Sequence, residues 1–177
     1  MALHYENLDA RTRALMLEEL AQDVASGSLY LSPRLSGRGR ADYEALLREA
    51  ISDKDDDWLA SALRAEGRLN TAEMRRRPSG GFTTSSVPAN AHQTLAEGEF
   101  NRFYVRAVCR RAVEDGMPQV VVYRAKPAAN PRPESQAMIG KVVDAKALLA
   151  DLRTHQGVDT ALHLPSGPNS GLSVHLP

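Results

Sequence analysis

The stretch from Thr94 to Gly116, TLAEGEFNRFYVRAVCRRAVEDG, constrains the fold more than any other part of the chain. Phe100, Phe103, Tyr104, Ala107 and Val108 recur at helical spacing, and Val105, Cys109, Ala112 and Val113 carry the apolar surface further round. A helix apolar over so much of its circumference needs neighbours on several sides, so this one is expected at the centre of the core. Thr94 and Glu97 have the spacing of a capping box, and Glu97 and Glu99 suit the positive end of the helix dipole. Gly116 followed by Pro118 supplies the stop. Polarity is confined to a ridge of Arg102, Arg106 and Arg110, spaced by one helical repeat. Arg111 falls inside the apolar face. It either snorkels past the helix end to a carbonyl or carboxylate, or forms a buried ion pair with an acid from a neighbour.

Shorter elements can be placed around this helix. Residues 9–26 read as a helix capped by Asp9, with Leu15, Met16, Leu20 and Val24 as its stripe, Leu8 as a staple and Gly27 as its end. SLYLSPRL is a short extended piece in which Pro33 argues against a central strand. SGRGR, residues 36–40, reads as a flexible turn or a weak anion-binding nest ahead of a helix over 41–51. DKDDD, residues 53–57, opens the next helix through Trp58, Leu59, Ala62 and Leu63. N-capping and the helix dipole account for its aspartates without a metal. Asn70 and Glu73 have the spacing to cap a further helical turn through TAEMRR. Residues 75–93 lose all apolar periodicity and read as a long loop with a basic root at Arg75, Arg76 and Arg77. QVVVYRA, residues 119–125, is the best strand, and it must pair with the LYL piece, the tail or another chain. A proline-rich connector follows, then a short helix capped by Asp144 with Leu148, Leu149 and Leu152 inward. In the tail, Leu172, Val174 and Leu176 alternate with Ser173 and His175, as in an added strand or a docked extended arm. The expected fold is thus mainly α with a minor β component. A helical core over residues 1–126 includes the loop at 75–93, and residues 127–177 form the connector, short helix and C-terminal arm.

The chemistry of the chain is sparse. Basic and acidic residues balance at 22 each, so global charge drives the chain toward neither nucleic acid nor membrane. No run of about 18 apolar residues would span a bilayer, and the first residues lack the apolar segment of a signal peptide. Cys109 is the sole cysteine and lies on the core helix, which predicts an inert buried thiol and fits a reducing compartment. The five histidines are scattered without zinc spacing. No G-x-S-x-G elbow, G-x-G-x-x-G fingerprint or P-loop occurs. Neither catalytic residues nor a cofactor or metal site can be named. The arginines at 75–77 and on the Arg102, Arg106, Arg110 ridge remain as candidate phosphate contacts, weighed against a solvated face or a ridge paired with acids.

Several segments, LHYENLDARTRALMLEEL, LAEGEFNRFYVRAVCRRA, VYRAK, NPRPES and GPNSGLSV, together resemble small uncharacterised proteins of bacterial and bacteriophage genomes. The resemblance implies no activity. It points to a phage-derived component, in the cytoplasm of the producing cell or in the virion. Residues 75–93 and 154–177 offer little periodic apolar surface against an ordering cost of about 1–2 kcal/mol per residue. Both are expected to be arms, mobile in the lone chain. Their isolated anchors, Phe82, Val87, Leu162, Leu164, Leu172, Val174 and Leu176, are then expected to order against other protein subunits. The resulting expectation is a structural interaction protein of a multi-subunit assembly, of the capsid-stabilising or head-to-tail connector type. The alternative is a nucleic-acid-binding or regulatory module using the arginines.

Overall fold

A computed structural model describes residues 2–128, 130–157, 160–164 and 171–177. The core helix is there, as α4 (Ala91–Glu114), and fifteen of its residues are buried, including Phe100, Phe103, Tyr104, Val108 and Cys109. It ends as a Schellman motif. Met117 donates to Ala112 O at 2.8 Å, Gly116 donates to Val113 O at 3.2 Å, and Gly116 takes φ +71°. Its start departs from expectation. The helix begins three residues before Thr94, behind Asn90, with no side-chain cap. The capping box does not form, because Thr94 already lies inside the first turn and Glu97 turns instead to Lys126.

Three helices enclose α4. α1 (Ala10–Ala25) is capped by Asp9, whose carboxylate accepts from Thr12 N at 2.9 Å. α2 (Gly37–Asp53) starts earlier than expected: SGRGR is its first turn, with Ser36 Oγ accepting from Gly39 N at 3.1 Å. Gly39 is required there, since a Cβ would stand 2.0 Å from Arg68 O. α3 (Asp56–Arg64) is capped by Asp55, which accepts from Trp58 N at 2.8 Å. α1 and α3 pack directly on α4, and α2 packs mainly across α1 and α3.

A two-stranded ribbon, a three-stranded antiparallel sheet and two further helices pack around or beside these. β1 (Ala72–Arg76) and β2 (Phe82–Ser86) form a ribbon of their own. This overturns both the helical turn expected through TAEMRR and the structureless loop at 75–93. β3 (Gln119–Arg124) is the expected strand. It is flanked by β4 (Val142–Asp144) and β5 (Leu172–His175), in the order β4-β3-β5. Val121 pairs with Val142 on one side and His175 on the other. A single turn, α5 (Pro133–Gln136), interrupts the connector, and α6 (Ala145–Thr154), capped by Asp144, packs on α4.

The tail is therefore not a free arm where it is described. Leu172 and Val174 are fully buried on the chain's own sheet, and Leu164 is buried as well. Asn101 of α4 donates to Leu172 O at 2.8 Å and accepts from Ser173 Oγ at 2.7 Å. Leu176 packs against the same core and donates its amide to Asn7 Oδ1. A core polar group that needs a partner fixes the strand more firmly than apolar alternation alone. Residues 158, 159 and 165–170 of the expected arm lie outside the described residues. One hydrophobic cluster runs from Leu15 to Val174, so the proposed division at residue 126 passes through a continuous core.

Two buried acids sit in this core without full compensation. Asp56 accepts from Leu3 N at 3.1 Å through Oδ2, while Oδ1 has no partner. Burial lifts its carboxyl to about 6 against the pull of the Leu3 amide. Glu99 lies 3.7 Å from Arg102, and burial lifts it to about 7 despite Arg102 and Arg106. Both bind a proton more tightly folded than unfolded. Their contribution to stability is full below about pH 4 and is lost as pH rises through about 6 and 7.

Two outcomes are expected. Phe103→Ala should lower stability by roughly 3–5 kcal/mol in denaturant titrations, the usual cost of deleting a buried aromatic. Unchanged unfolding would remove Phe103 from the centre of the core. Glu99→Gln should flatten the fall in melting temperature between pH 5 and pH 8 and stand above the parent at pH 8. Parallel profiles would show that Glu99 is ionised in the native state across that range.

Candidate functional site

The arginine ridge of α4 faces inward, not toward solvent. Arg106 is fully buried. Its guanidinium donates to Asp23 through Nη1 at 2.7 Å and Nη2 at 2.9 Å, and to Glu19 through Nε at 2.8 Å, while stacking 5.0 Å over the Phe103 ring. Glu19 and Asp23 stand one helical repeat apart on the buried face of α1, which matches the planar fork of an arginine. Arg153 of α6 closes on Glu19 from the other side, and Gln156 donates to Asp23 at 3.1 Å. Burial raises the Glu19 carboxyl, but the hydrogen bond from Arg153 and the charge of Arg106 outweigh it and hold Glu19 below the usual range. Arg110 donates to Glu18 at 2.8 Å and to Glu19 at 3.3 Å. Arg102, also buried, reaches the carbonyl of His155. As phosphate contacts these three are corrected: Arg102 and Arg106 are buried, and Arg110, half-buried, is held by Glu18, Glu19 and Glu114. Arg111 reaches past the helix end to Asp9 Oδ2 at 2.5 Å, the snorkelling arrangement.

The basic root of the supposed loop behaves differently. Arg75, Arg76 and Arg77 lie on the ribbon and its turn, and all three are exposed. Arg75 donates to Glu73 at 2.7 Å, and Glu73 also holds Arg34 at 2.6 Å. Among the described residues Arg76 and Arg77 have no acidic partner. The ribbon forms because Arg77, Pro78, Ser79 and Gly80 make a tight turn, closed by Gly80 N to Arg77 O at 3.0 Å. Gly80 and Gly81 take φ +89° and +78°, the left-handed conformation a three-residue hairpin loop needs.

Register decides what the ribbon displays. Arg77 donates to Gly81 O at 3.0 Å and Val87 donates to Thr71 O at 3.0 Å, so 77–81 and 71–87 are hydrogen-bonded pairs. Met74 opposite Thr84 and Arg76 opposite Phe82 are then non-hydrogen-bonded pairs, with their side chains closest together on one face. Met74 and Phe82 are each 66 % exposed, more than any other large apolar side chain described. Their backbone amides, with those of Arg76 and Thr84, turn outward from the ribbon edges. The opposite face, carrying Glu73, Thr83 and Ser85, is half-covered. At the base, Asn70 binds the carbonyls of Pro33 and Leu35, each at 3.2 Å, and anchors the ribbon to the body.

Of the expected partner anchors, then, Phe82 is displayed outward, Val87 is half-buried at the ribbon base, and Leu162 is partly exposed away from it. Leu164, Leu172, Val174 and Leu176 belong to the internal core. A concavity of about 570 Å³ is lined by Leu3, His4, Arg13, Lys54 and Trp58. Its Arg13 already caps α2 through the carbonyls of Ile51 and Lys54, at 2.7 and 2.9 Å. Cys109 is buried, and burial pushes its thiol well above the ordinary range, so it is no nucleophile. Among the described residues no three His, Cys, Asp or Glu side chains are grouped to hold a metal. No described helix is long and apolar enough to cross a membrane.

Neither family models, nor curated proteins, nor solved structures include a match to this chain.

The two arginine groups should separate in a single experiment. Arg106→Met leaves the buried carboxylate of Asp23 without a cation and weakens the set around Glu19, and should cost about 3–5 kcal/mol, whereas Arg76→Met should stay within about 0.5 kcal/mol of the parent. Equal losses in denaturant titrations would mean that the ribbon is part of the stabilised core.

Proposed function

We propose that the protein is a structural interaction component of a multi-subunit assembly and that the β1–β2 ribbon is its docking arm. The observation carrying this reading is the ribbon's exposed face. Met74 and Phe82 sit side by side with Arg76 on an element that projects from an otherwise closed core. An isolated two-stranded ribbon is only marginally stable in water. A protein that keeps one, with apolar side chains outward and two open edges, retains a surface suited to a partner.

The body supplies rigidity. The tie at Asn70 and the Arg34–Glu73 pair hold the ribbon root against the segment before α2. Motion at the root is thereby limited, and the entropy lost on docking is correspondingly smaller. With the tail folded into the core, the assembly reading rests on one arm. The virion is the setting that the resemblance to phage-encoded proteins favours, with the protein as a cement or connector subunit.

The ribbon can be removed without touching the core, because Thr71 and Val87 already meet at its base. Replacing residues 72–86 with an Asn-Gly turn should leave the helical circular dichroism and the melting temperature close to those of the parent. In extracts of the producing cell, full-length tagged protein should fractionate as a particle far larger than its 19.3 kDa chain. The shortened form should run as a free monomer. A full-length chain that is itself monomeric, or a shortened chain that stays in the particle, would end this proposal.

A further inference from the structure

Resting on the reading of the ribbon as a docking arm, we infer that its counterpart is the phosphodiester backbone of double-stranded DNA, gripped in a groove without reading of sequence. The charge distribution is the first argument. The chain is neutral overall, yet its tip concentrates Arg75, Arg76 and Arg77, and the single acid of the ribbon, Glu73, is held by Arg34 and Arg75. Elsewhere Arg106 and Arg110 of α4 are paired with Glu18, Glu19 and Asp23, and Arg111 with Asp9. At the tip Arg76 and Arg77 stand side by side without an acidic partner among the described residues, while Arg75 shares Glu73 with Arg34. A localised pole of this kind on a neutral body is suited to a polyanion.

Shape supplies the second argument. The B-form major groove, about 12 Å wide, admits a two-stranded ribbon, and strands lie about 4.8 Å apart. Side chains alternate along β1, so Arg76 leaves one face while Arg75, and Arg77 at the turn, leave the other. Positive charge on both faces suits insertion between two phosphate walls better than docking on a flat acidic patch. The outward amides of Met74, Arg76, Phe82 and Thr84 add hydrogen-bond donors along the edges, of the kind that position proteins on phosphates. Phe82 beside Arg76 provides an apolar contact for sugars or an unstacked base step. Three arginines and one aromatic ring are too few to read bases, so binding is weak and sequence-neutral. A-form RNA is a poor fit, because its major groove is too narrow for side chains to enter.

The test is fluorescence anisotropy of a labelled 20-base-pair duplex with the purified full-length chain across a salt series. Two to three phosphate contacts predict a log–log slope of about −1.8 to −2.7, that is, a loss of affinity of about 10- to 40-fold between 50 and 200 mM salt. Arg76→Ala with Arg77→Ala should flatten the slope by about 2, and the lysine pair at these positions should restore it. Phe82→Ala should weaken binding at an unchanged slope. Each variant is checked for parental circular dichroism and melting temperature. Absence of binding at 50 mM salt, or binding indifferent to these substitutions, would overturn the inference. So would equal binding of polyglutamate with the same slope, which would assign the tip to an acidic protein. These outcomes leave the arm itself standing if removal of the ribbon still releases the chain from its particle. Both readings fall together only if that release is also absent.

Discussion

The fold depends on how one buried cation is neutralised. Arg106 sits in the second half of α4 with no access to water, and an isolated charge there would cost several kcal/mol. Glu19 and Asp23 answer it from α1, and Arg153 of α6 then adds a second cation to Glu19. Apolar packing alone would let α1 slide or rotate against α4 at modest cost. A bidentate arginine tolerates no such slip, because any shift leaves a buried donor or acceptor unpaired. The network therefore sets the register of three helices, and the apolar residues around it fill the space that register defines.

Much of this architecture was legible along the chain. Apolar periodicity located α1, α3, α4 and α6, and Asp9, Asp144 and the DKDDD run announced three of their starts because N-capping is a local interaction. The polar ridge of α4 was visible too, but not its direction. A ridge that pairs with a partner and one that faces water have the same spacing on their own helix. The missing half lay eighty residues upstream, where Glu19 and Asp23 interrupt the stripe of Met16 and Leu20 at the same repeat. Acids inside an apolar stripe, matched in spacing to arginines elsewhere, were the available signal.

The hairpin and the tail were harder to read for different physical reasons. The ribbon has no apolar periodicity because neither face is fully buried, so a search for a core-facing pattern passes over it. Its signature is the turn, RPSGGF, with two glycines placed for left-handed backbone and β-prone Thr83 and Thr84 after it. The same absence of burial leaves Met74, Arg76 and Phe82 available to a partner. The tail failed in the opposite sense. Its alternation was seen, but its destination depended on Asn101, a polar residue in the apolar run of α4 whose amide requires Leu172 O and Ser173. The closing strand was specified by a hydrogen-bonding demand, which hydropathy does not register.

The position of β5 in the chain has a consequence for biosynthesis. β3 leaves the ribosome roughly fifty residues before the strand that covers its second edge. At about 5–20 residues per second, that interval lasts roughly 2–10 s. Helices form and collapse far faster than this, so α1 meets α4 around Arg106, and α3 packs on α4, while Asn101 and the open edge of β3 still face solvent. During that interval the nascent chain carries an unpaired strand edge next to apolar surface. Polysomes that crowd several such chains together would favour pairing between them, so a chaperone that shields the edge would raise the yield of correctly closed protein.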